Sequence, residues 1–184
     1  MLGKRDYEAL DKLYVWHPFT QMSEWEVSDN VVIESAKGIY LKDVNGNEYM
    51  DGVSSLWCNV HGHQKKKIDD AIRRQLKLVA HSTMLGLSHV PGAALAEKLI
   101  SIAPEGMHKV FYSDNGSTAV EIALKMAYQF WQQKRDRHGK ITGKAKTKFL
   151  AFSNAYHGDT VGSVSVGGIP LFHDVYKPIL FDVY

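Results

Sequence analysis

The sequence predicts an α/β protein: a small antiparallel meander, then the start of a parallel sheet with helices between its strands. Three observations carry that reading. Short β-rich runs at "VVIES", "GIYLKD" and "NEYMDG" are separated by Lys37-Gly38 and Asn45-Gly46, and an Asn-Gly pair between alternating runs is a strong hairpin signal. From Lys65 the spacing becomes helical, with Ile68, Ala71, Ile72, Leu76 and Val79 on one apolar face. Farther on, "KVFYS", "KFLAFS" and "PILFDV" read as short apolar strands alternating with helical stretches, the order that builds a parallel sheet.

Taken in order, Tyr7 to Val15 reads as a short helix stopped by Pro18, and the meander follows between Val31 and Asp51. The helix from Lys65 to Ala80 is followed by another from Val90 to Ala103, where Pro91 is tolerated in a first turn. The next helix is expected from Thr118, apolar on nearly all sides through Val120, Ile122, Leu124, Met126, Tyr128 and Phe130, and therefore buried. Gly139 to Lys146 is a polar connection, and Thr160 to Val166 a weaker helical or turn segment. Two regions result, residues 1–60 with the meander and residues 61–184 with the sheet. A parallel sheet with three strands is barely begun at Tyr184, so the expectation is the N-terminal part of a longer protein.

Composition narrows the function classes. The 184 residues carry 22 basic and 20 acidic side chains, a net +2, too even to attract nucleic acid or an acidic membrane. Cys58 is the sole cysteine, which fits a reducing, cytoplasmic setting. Lys4, Arg5, Asp6 and Glu8 break any apolar signal segment at the start. No stretch reaches the roughly 18 apolar residues of a membrane span.

The chemistry concentrates in two turns. Asp114-Asn115-Gly116-Ser117 joins a predicted strand to the longest helix. In open α/β sheets, ligands gather at the carboxyl ends of strands, and anions settle on the helix N-termini that follow. Gly116 permits close backbone approach, the N–H groups of Ser117 and Thr118 are expected to be free, and Ser117 adds a hydroxyl. The turn alone fits simple capping by Asp114 or Ser117 as well as it fits phosphate binding. It is neither a Gly-Lys-Ser/Thr phosphate loop nor a dinucleotide turn. A second polar cluster, "NAYHGDT" from Asn154 to Thr160, follows the next strand and brings Tyr156 and His157 to the same edge. An aromatic ring beside a phosphate cradle suits a planar phosphorylated cofactor.

Together "SDNGSTAVEIALKMA", "YHGDT" and "DGVSSLWCNVHGH" resemble the class III, or ω-aminotransferase, group of fold type I pyridoxal-phosphate enzymes. With "WHPFTQM", the resemblance is to the branch that aminates 7-keto-8-aminopelargonate in biotin biosynthesis, and it extends from about Tyr14 to the last residue. The resemblance implies pyridoxal 5'-phosphate as cofactor, a homodimer, and a small-molecule amino acceptor and donor as partners. It implies that Gly116 and Ser117 hold the cofactor phosphate and that Tyr156 stacks on the pyridine ring, with His157 and Gly158 completing the motif and Asp159 in support. It places Trp57 in the substrate wall and Phe19 where many members have a tyrosine facing the donor. Phe19, and Leu56 where the family often has tryptophan, tilt the donor from S-adenosylmethionine toward lysine, because a hydroxyl and an indole are missing. The Schiff-base lysine is expected beyond Tyr184, and the resemblance gives none of the present residues a catalytic role. Other class III enzymes acting on γ-aminobutyrate or ornithine, and a non-catalytic phosphate-binding module, remain as alternatives.

His61 and His63 share strand spacing, yet lack an acidic or cysteine partner at ligand spacing, so a loop or pocket-lining role is expected rather than a metal site. Cys58, between Trp57 and Val60, is expected to be packed, and the aromatics of "YQFWQQ" to be core.

Overall fold

The computed structural model describes residues 6–143 and 146–184. Lys4 and Arg5, and Lys144 and Ala145 of the polar connection, lie outside the described residues. The chain divides into two compact units, Met1–His89 and Val90–Tyr184.

In the first unit, α1 (Tyr7–Tyr14) begins where the Asp6 carboxylate accepts the Ala9 N–H at 3.0 Å, an N-cap that satisfies one of the four unpaired donors of a first turn. It ends at Val15, whose backbone is extended, three residues before the proline. The short α2 (Met22–Trp25) then folds back on that exit. His17 stacks on Trp25 with ring centroids 4.1 Å apart, and both rings bond the Asp11 carboxylate at about 3 Å.

The meander forms as the sequence predicts. Strands β1 (Ile33–Lys37), β2 (Tyr40–Asp43) and β3 (Glu48–Met50) pair antiparallel in the order β1-β2-β3. Gly38 turns between the first two at φ +60° and Gly46 between the next two at φ +91°, values that cost glycine nothing. The second turn is tied by Asp43. Its buried carboxylate accepts the N–H groups of Asn45 and Asn47, the Asn47 side-chain amide and the Tyr49 hydroxyl, all within 2.9 Å. Burial pushes this carboxyl up, but those hydrogen bonds outweigh it and bring it down to about 2.

A carboxyl held below its unfolded value of ~3.9 stabilises the fold above that pH and loses the contribution as pH falls. The meander should therefore loosen between about pH 4 and about pH 2, the range separating the unfolded and folded values. Amide shifts of Asn45 and Asn47, followed by NMR across that range, should move together in the native protein, and Asp43→Asn should lose the transition. Flat shifts in the native protein down to pH 2 would refute the role given to Asp43.

After β3 comes α3 (Ser54–Trp57), a single tight turn, and then α4 (Lys66–Leu76), which carries the expected apolar stripe. In the second unit α5 (Val90–Ile102) has Pro91 in its first turn, and α6 (Gly116–Gln133) starts two residues earlier than the spacing implies. α7 (Val161–Ser165) and α8 (Pro170–His173) follow, then a 3-10 helix over Asp174–Ile179.

The three predicted parallel strands are the main departure. "KVFYS" forms no strand, and "KFLAFS" and "PILFDV" meet through one parallel bridge, Phe149 with Val183, flanked by Tyr184 N–H on Phe149 O and Ala151 N–H on Tyr184 O. The polarity is as predicted, but the ladder is one rung long. Strand propensity expresses itself only against a paired, covered surface, and these segments have little of either among the described residues. The same deficit leaves α6 unburied, with Met126, Tyr128 and Phe130 about half exposed. Trp131, expected in the core, is instead bracketed by the ammonium groups of Lys134 and Lys146 at 4.6 and 4.1 Å from its ring centre. The tightest packing in this unit surrounds α7, where Ser163, Val164, Ser165 and Val166 are buried with His173.

Candidate functional site

The N-terminus of α6 is closed by Asn115, correcting the expectation of Asp114 or Ser117 as cap. Its side chain accepts the Thr118 N–H at 3.0 Å, and Thr118 Oγ1 accepts the Asn115 N–H at 3.1 Å, a reciprocal capping box. Ala119 N–H is taken by Asn115 O. Thr118 is therefore not a free donor, contrary to the sequence reading. The N–H groups of Gly116 and Ser117 bond no group among the described residues. A Cβ built on Gly116 meets nothing within 4 Å. Two unpaired donors at the positive end of an 18-residue helix, with open space above the glycine, form a cradle of the size and charge an anion needs.

The Ser117 hydroxyl is turned inward. Ser117 Oγ accepts the Thr160 N–H at 3.0 Å and lies 3.0 Å from Thr160 Oγ1 and 3.1 Å from Ser163 Oγ. Ser163 in turn donates to Ser117 O at 3.0 Å. One turn along α6, Glu121 Oε1 accepts the Gly162 N–H at 2.6 Å. Hydrogen bonds from Thr160, and from the Gly162 and Ser163 amides, hold the Glu121 carboxyl below its usual value against the opposing effect of burial. These bonds fasten the Tyr156–Thr160 turn to the cradle helix. Gly158 sits at the closest approach, at φ +114°, and a Cβ there would lie 2.7 Å from Ser117 Cα and nearer still to its side chain.

Tyr156 is half exposed, and its hydroxyl donates to Asp159 Oδ2 at 2.6 Å. That bond, with burial and the Asp159 charge behind it, raises the phenol above its ordinary value, so the hydroxyl keeps its proton at neutral pH. His157 is exposed. The second unit thus gathers Gly116, Ser117, Gly158 and Thr160, with Tyr156 on the docked turn. Sequence reasoning missed Glu121, Thr160 and Ser163. The legible signal was spacing, since Ser117 and Glu121 stand i, i+4 on one helical face.

Phe19 and Trp57 belong to the first unit. Both are exposed, at 80% and 76%, and both have positive φ, 51° and 69°. Ser54, Ser55, Leu56 and Trp57 are four successive non-glycine residues with φ between 48° and 69°, a left-handed turn that costs roughly 1–2 kcal/mol per residue. Asp51 holds it. Its carboxylate accepts Ser55 N–H at 2.7 Å and Ser55 Oγ–H at 2.8 Å, and faces His63 Nε2 at 2.9 Å. The Ser55 backbone and hydroxyl, outweighing burial, draw the Asp51 carboxyl below its ordinary range, and His63 adds to the pull. His61 is exposed, and no group of three potential metal ligands exists among the described residues. Cys58 is exposed rather than packed.

The fold is that of an aminotransferase. The class-III aminotransferase family matches residues 22–184, and the chain belongs to it. Two relatives are adenosylmethionine-8-amino-7-oxononanoate aminotransferases. That of Nitratidesulfovibrio vulgaris is 56% identical over 174 residues, covering 95% of this chain and 31% of the relative. That of Anoxybacillus flavithermus is 53% identical, covering 100% of this chain and 39% of the relative. The crystal structure of the Methanocaldococcus jannaschii adenosylmethionine-8-amino-7-oxononanoate aminotransferase superposes with a TM-score of 0.88 at 50% identity, over 97% of this chain and 39% of that one. The chain therefore spans less than two fifths of the length of these relatives, and its fold is the mixed α/β N-terminal part of a fold type I aminotransferase. Among the described residues, no helix is long and apolar enough to cross a membrane.

Proposed function

We propose that this chain forms the N-terminal part of a pyridoxal-phosphate-dependent enzyme that transfers an amino group to 7-keto-8-aminopelargonate, the amination step of biotin biosynthesis. The observation that carries the reading is the pair of unpaired Gly116 and Ser117 N–H groups beneath open space. These residues fit the cofactor's phosphate, which needs fixed donors and positive potential. When bound, pyridoxal phosphate supplies the electron sink that labilises bonds at the carbon bearing the amino group. The chain's own residues bind and orient it. Gly116 and Ser117 hold the phosphate through their amides, and the inward Ser117 hydroxyl fixes the Tyr156 turn rather than the anion. Tyr156 covers the pyridine face, with its protonated hydroxyl steered by Asp159, and His157 flanks it. In the first unit, Trp57 and Phe19 are the residues that the family resemblance assigns to substrate. The enzyme is a cytoplasmic homodimer, in keeping with the two-fold assemblies common among soluble enzymes.

The relatives are named for adenosylmethionine. Phe19 and Leu56, which lack a hydroxyl and an indole, favour a second reading in which lysine serves as donor. Single-turnover spectroscopy of the enzyme containing this chain tests both. Conversion of the aldehyde form of the cofactor to the amine form by lysine, and not by S-adenosylmethionine, is the outcome Phe19 and Leu56 favour. Conversion by S-adenosylmethionine alone ends the lysine reading. Failure of 7-keto-8-aminopelargonate to return the cofactor to its aldehyde form with either donor overturns the acceptor assignment.

A further inference from the structure

The segment from Asp51 to His63 is a loop closed at one point. At its start Asp51 N–H donates to Ile39 O at 2.8 Å, and at its end His63 exchanges both backbone hydrogen bonds with Gly38, at 2.8 and 3.1 Å. Gly62 permits that closure, at φ +79° with a built Cβ only 3.0 Å from Gly38 O. Across the same closure the side chains meet, His63 Nε2 on Asp51 Oδ2 at 2.9 Å, with only 20% and 5% of each side chain exposed. The other contacts of that carboxylate run into the loop, to the N–H and hydroxyl of Ser55. The left-handed turn that follows leaves Leu56 and Trp57 largely exposed, at 67% and 76%.

We infer that Asp51 and His63 form a latch that fixes the direction of Leu56 and Trp57, which makes His63 a positioning residue for substrate selection. The physical argument is a contrast within the loop. Its tip is strained and exposed, and backbone bonds within the turn, Trp57 N–H on Val53 O at 2.8 Å and Asn59 N–H on Ser54 O at 2.9 Å, hold it against that strain. A side-chain restraint comes from its base, where one carboxylate binds the turn on one side and the imidazole on the other. With the imidazole gone, Asp51 has lost the partner that orients it, and Ser55 loses a fixed acceptor. The left-handed turn then relaxes toward ordinary φ and Trp57 swings away. The consequence falls on substrate affinity, while the phosphate cradle is built from other residues.

This inference rests on the amino-transfer reading for its kinetic arm only. In the enzyme containing this chain, His63→Ala is expected to raise KM for 7-keto-8-aminopelargonate about tenfold, the loss of one charge-assisted hydrogen bond. Pyridoxal-phosphate affinity should stay within twofold of native. His63→Gln, whose amide can still donate to Asp51, should restore most of the loss. Hydrogen exchange at the Ser55 amide should accelerate in His63→Ala and recover in His63→Gln. Native KM with native Ser55 exchange in His63→Ala overturns the latch, as does an equal loss of cofactor and substrate affinity, which would mark a general folding defect. If the native enzyme transfers no amino group, the functional reading fails, and the exchange of Ser55 decides the latch by itself.

Discussion

Gly158→Ala is expected to cost roughly a hundredfold in pyridoxal-phosphate affinity, since overpacking at 1–3 kcal/mol and a positive φ at 1–2 kcal/mol act together at that position. The added methyl would fall 2.7 Å from Ser117 Cα, against helix backbone that is fixed by the capping box and cannot yield. The turn must therefore lift from α6. Lifting breaks the Thr160 N–H bond to Ser117 Oγ and the Gly162 N–H bond to Glu121, and displaces Tyr156 from the position proposed for it over the cofactor ring. Two measurements separate the parts of this argument. Spectrophotometric titration of the apoenzyme should show the loss of affinity, and the melting temperature of the apoenzyme should fall as well, because the same bonds pack α7. A Gly158→Ala enzyme that binds cofactor and melts like native would show that the turn is not docked as described.

The contrast between what the sequence revealed and what it hid follows the range of the forces involved. The meander was legible because its signals are local. Asn45-Gly46 turns two short runs in adjoining residues, and Asp43 secures the turn within six positions of chain. The helices were legible from apolar spacing, with errors at their ends where caps decide. Asn115 and Thr118 form a box with threonine in the place usually held by glutamate or glutamine, so the start of α6 was set two residues late. The parallel strands were overread because a strand's stability depends on partners distant in sequence, and a single bridge at Phe149 and Val183 is what forms.

The site divides along the same line. The polar turn at residues 115–117 ahead of a helix and the second cluster at Tyr156 were legible as motifs, although the first segment read as a strand before them forms none and the second only a single bridge. The inward rotation of the Ser117 hydroxyl was not, since its partners Thr160 and Ser163 lie 43 and 46 residues away. Nor was the left-handed turn. Serine, leucine and tryptophan have no preference for positive φ, and four of them adopt it because Asp51, outside the turn, supplies acceptors in the right place. Strain of this kind is held by surrounding contacts, and Trp57 and Phe19 both carry it, at φ 69° and 51°.

Gly116→Val gives the complementary result, a loss of cofactor without a loss of fold. Nothing lies within 4 Å of a Cβ at Gly116, and the residue occupies the first position of α6, where a side chain meets no preceding helical turn. The apoenzyme should melt within a degree or two of native, because no buried contact changes. The phosphate, however, must approach the Gly116 and Ser117 N–H groups through the space the valine takes. Two hydrogen bonds to a charged group, at about 1.5–3 kcal/mol each, are at stake, which corresponds to roughly a hundredfold to ten-thousandfold in affinity. Ser117→Ala should behave differently. It leaves both amides in place but removes the acceptor for Thr160 N–H, so stability of the apoenzyme and cofactor affinity should decline together, each by a smaller amount. Titration and melting of the two variants side by side read out the difference. If Gly116→Val destabilises the apoenzyme as much as it weakens cofactor binding, the space above Gly116 is filled by protein and the anion cradle is refuted.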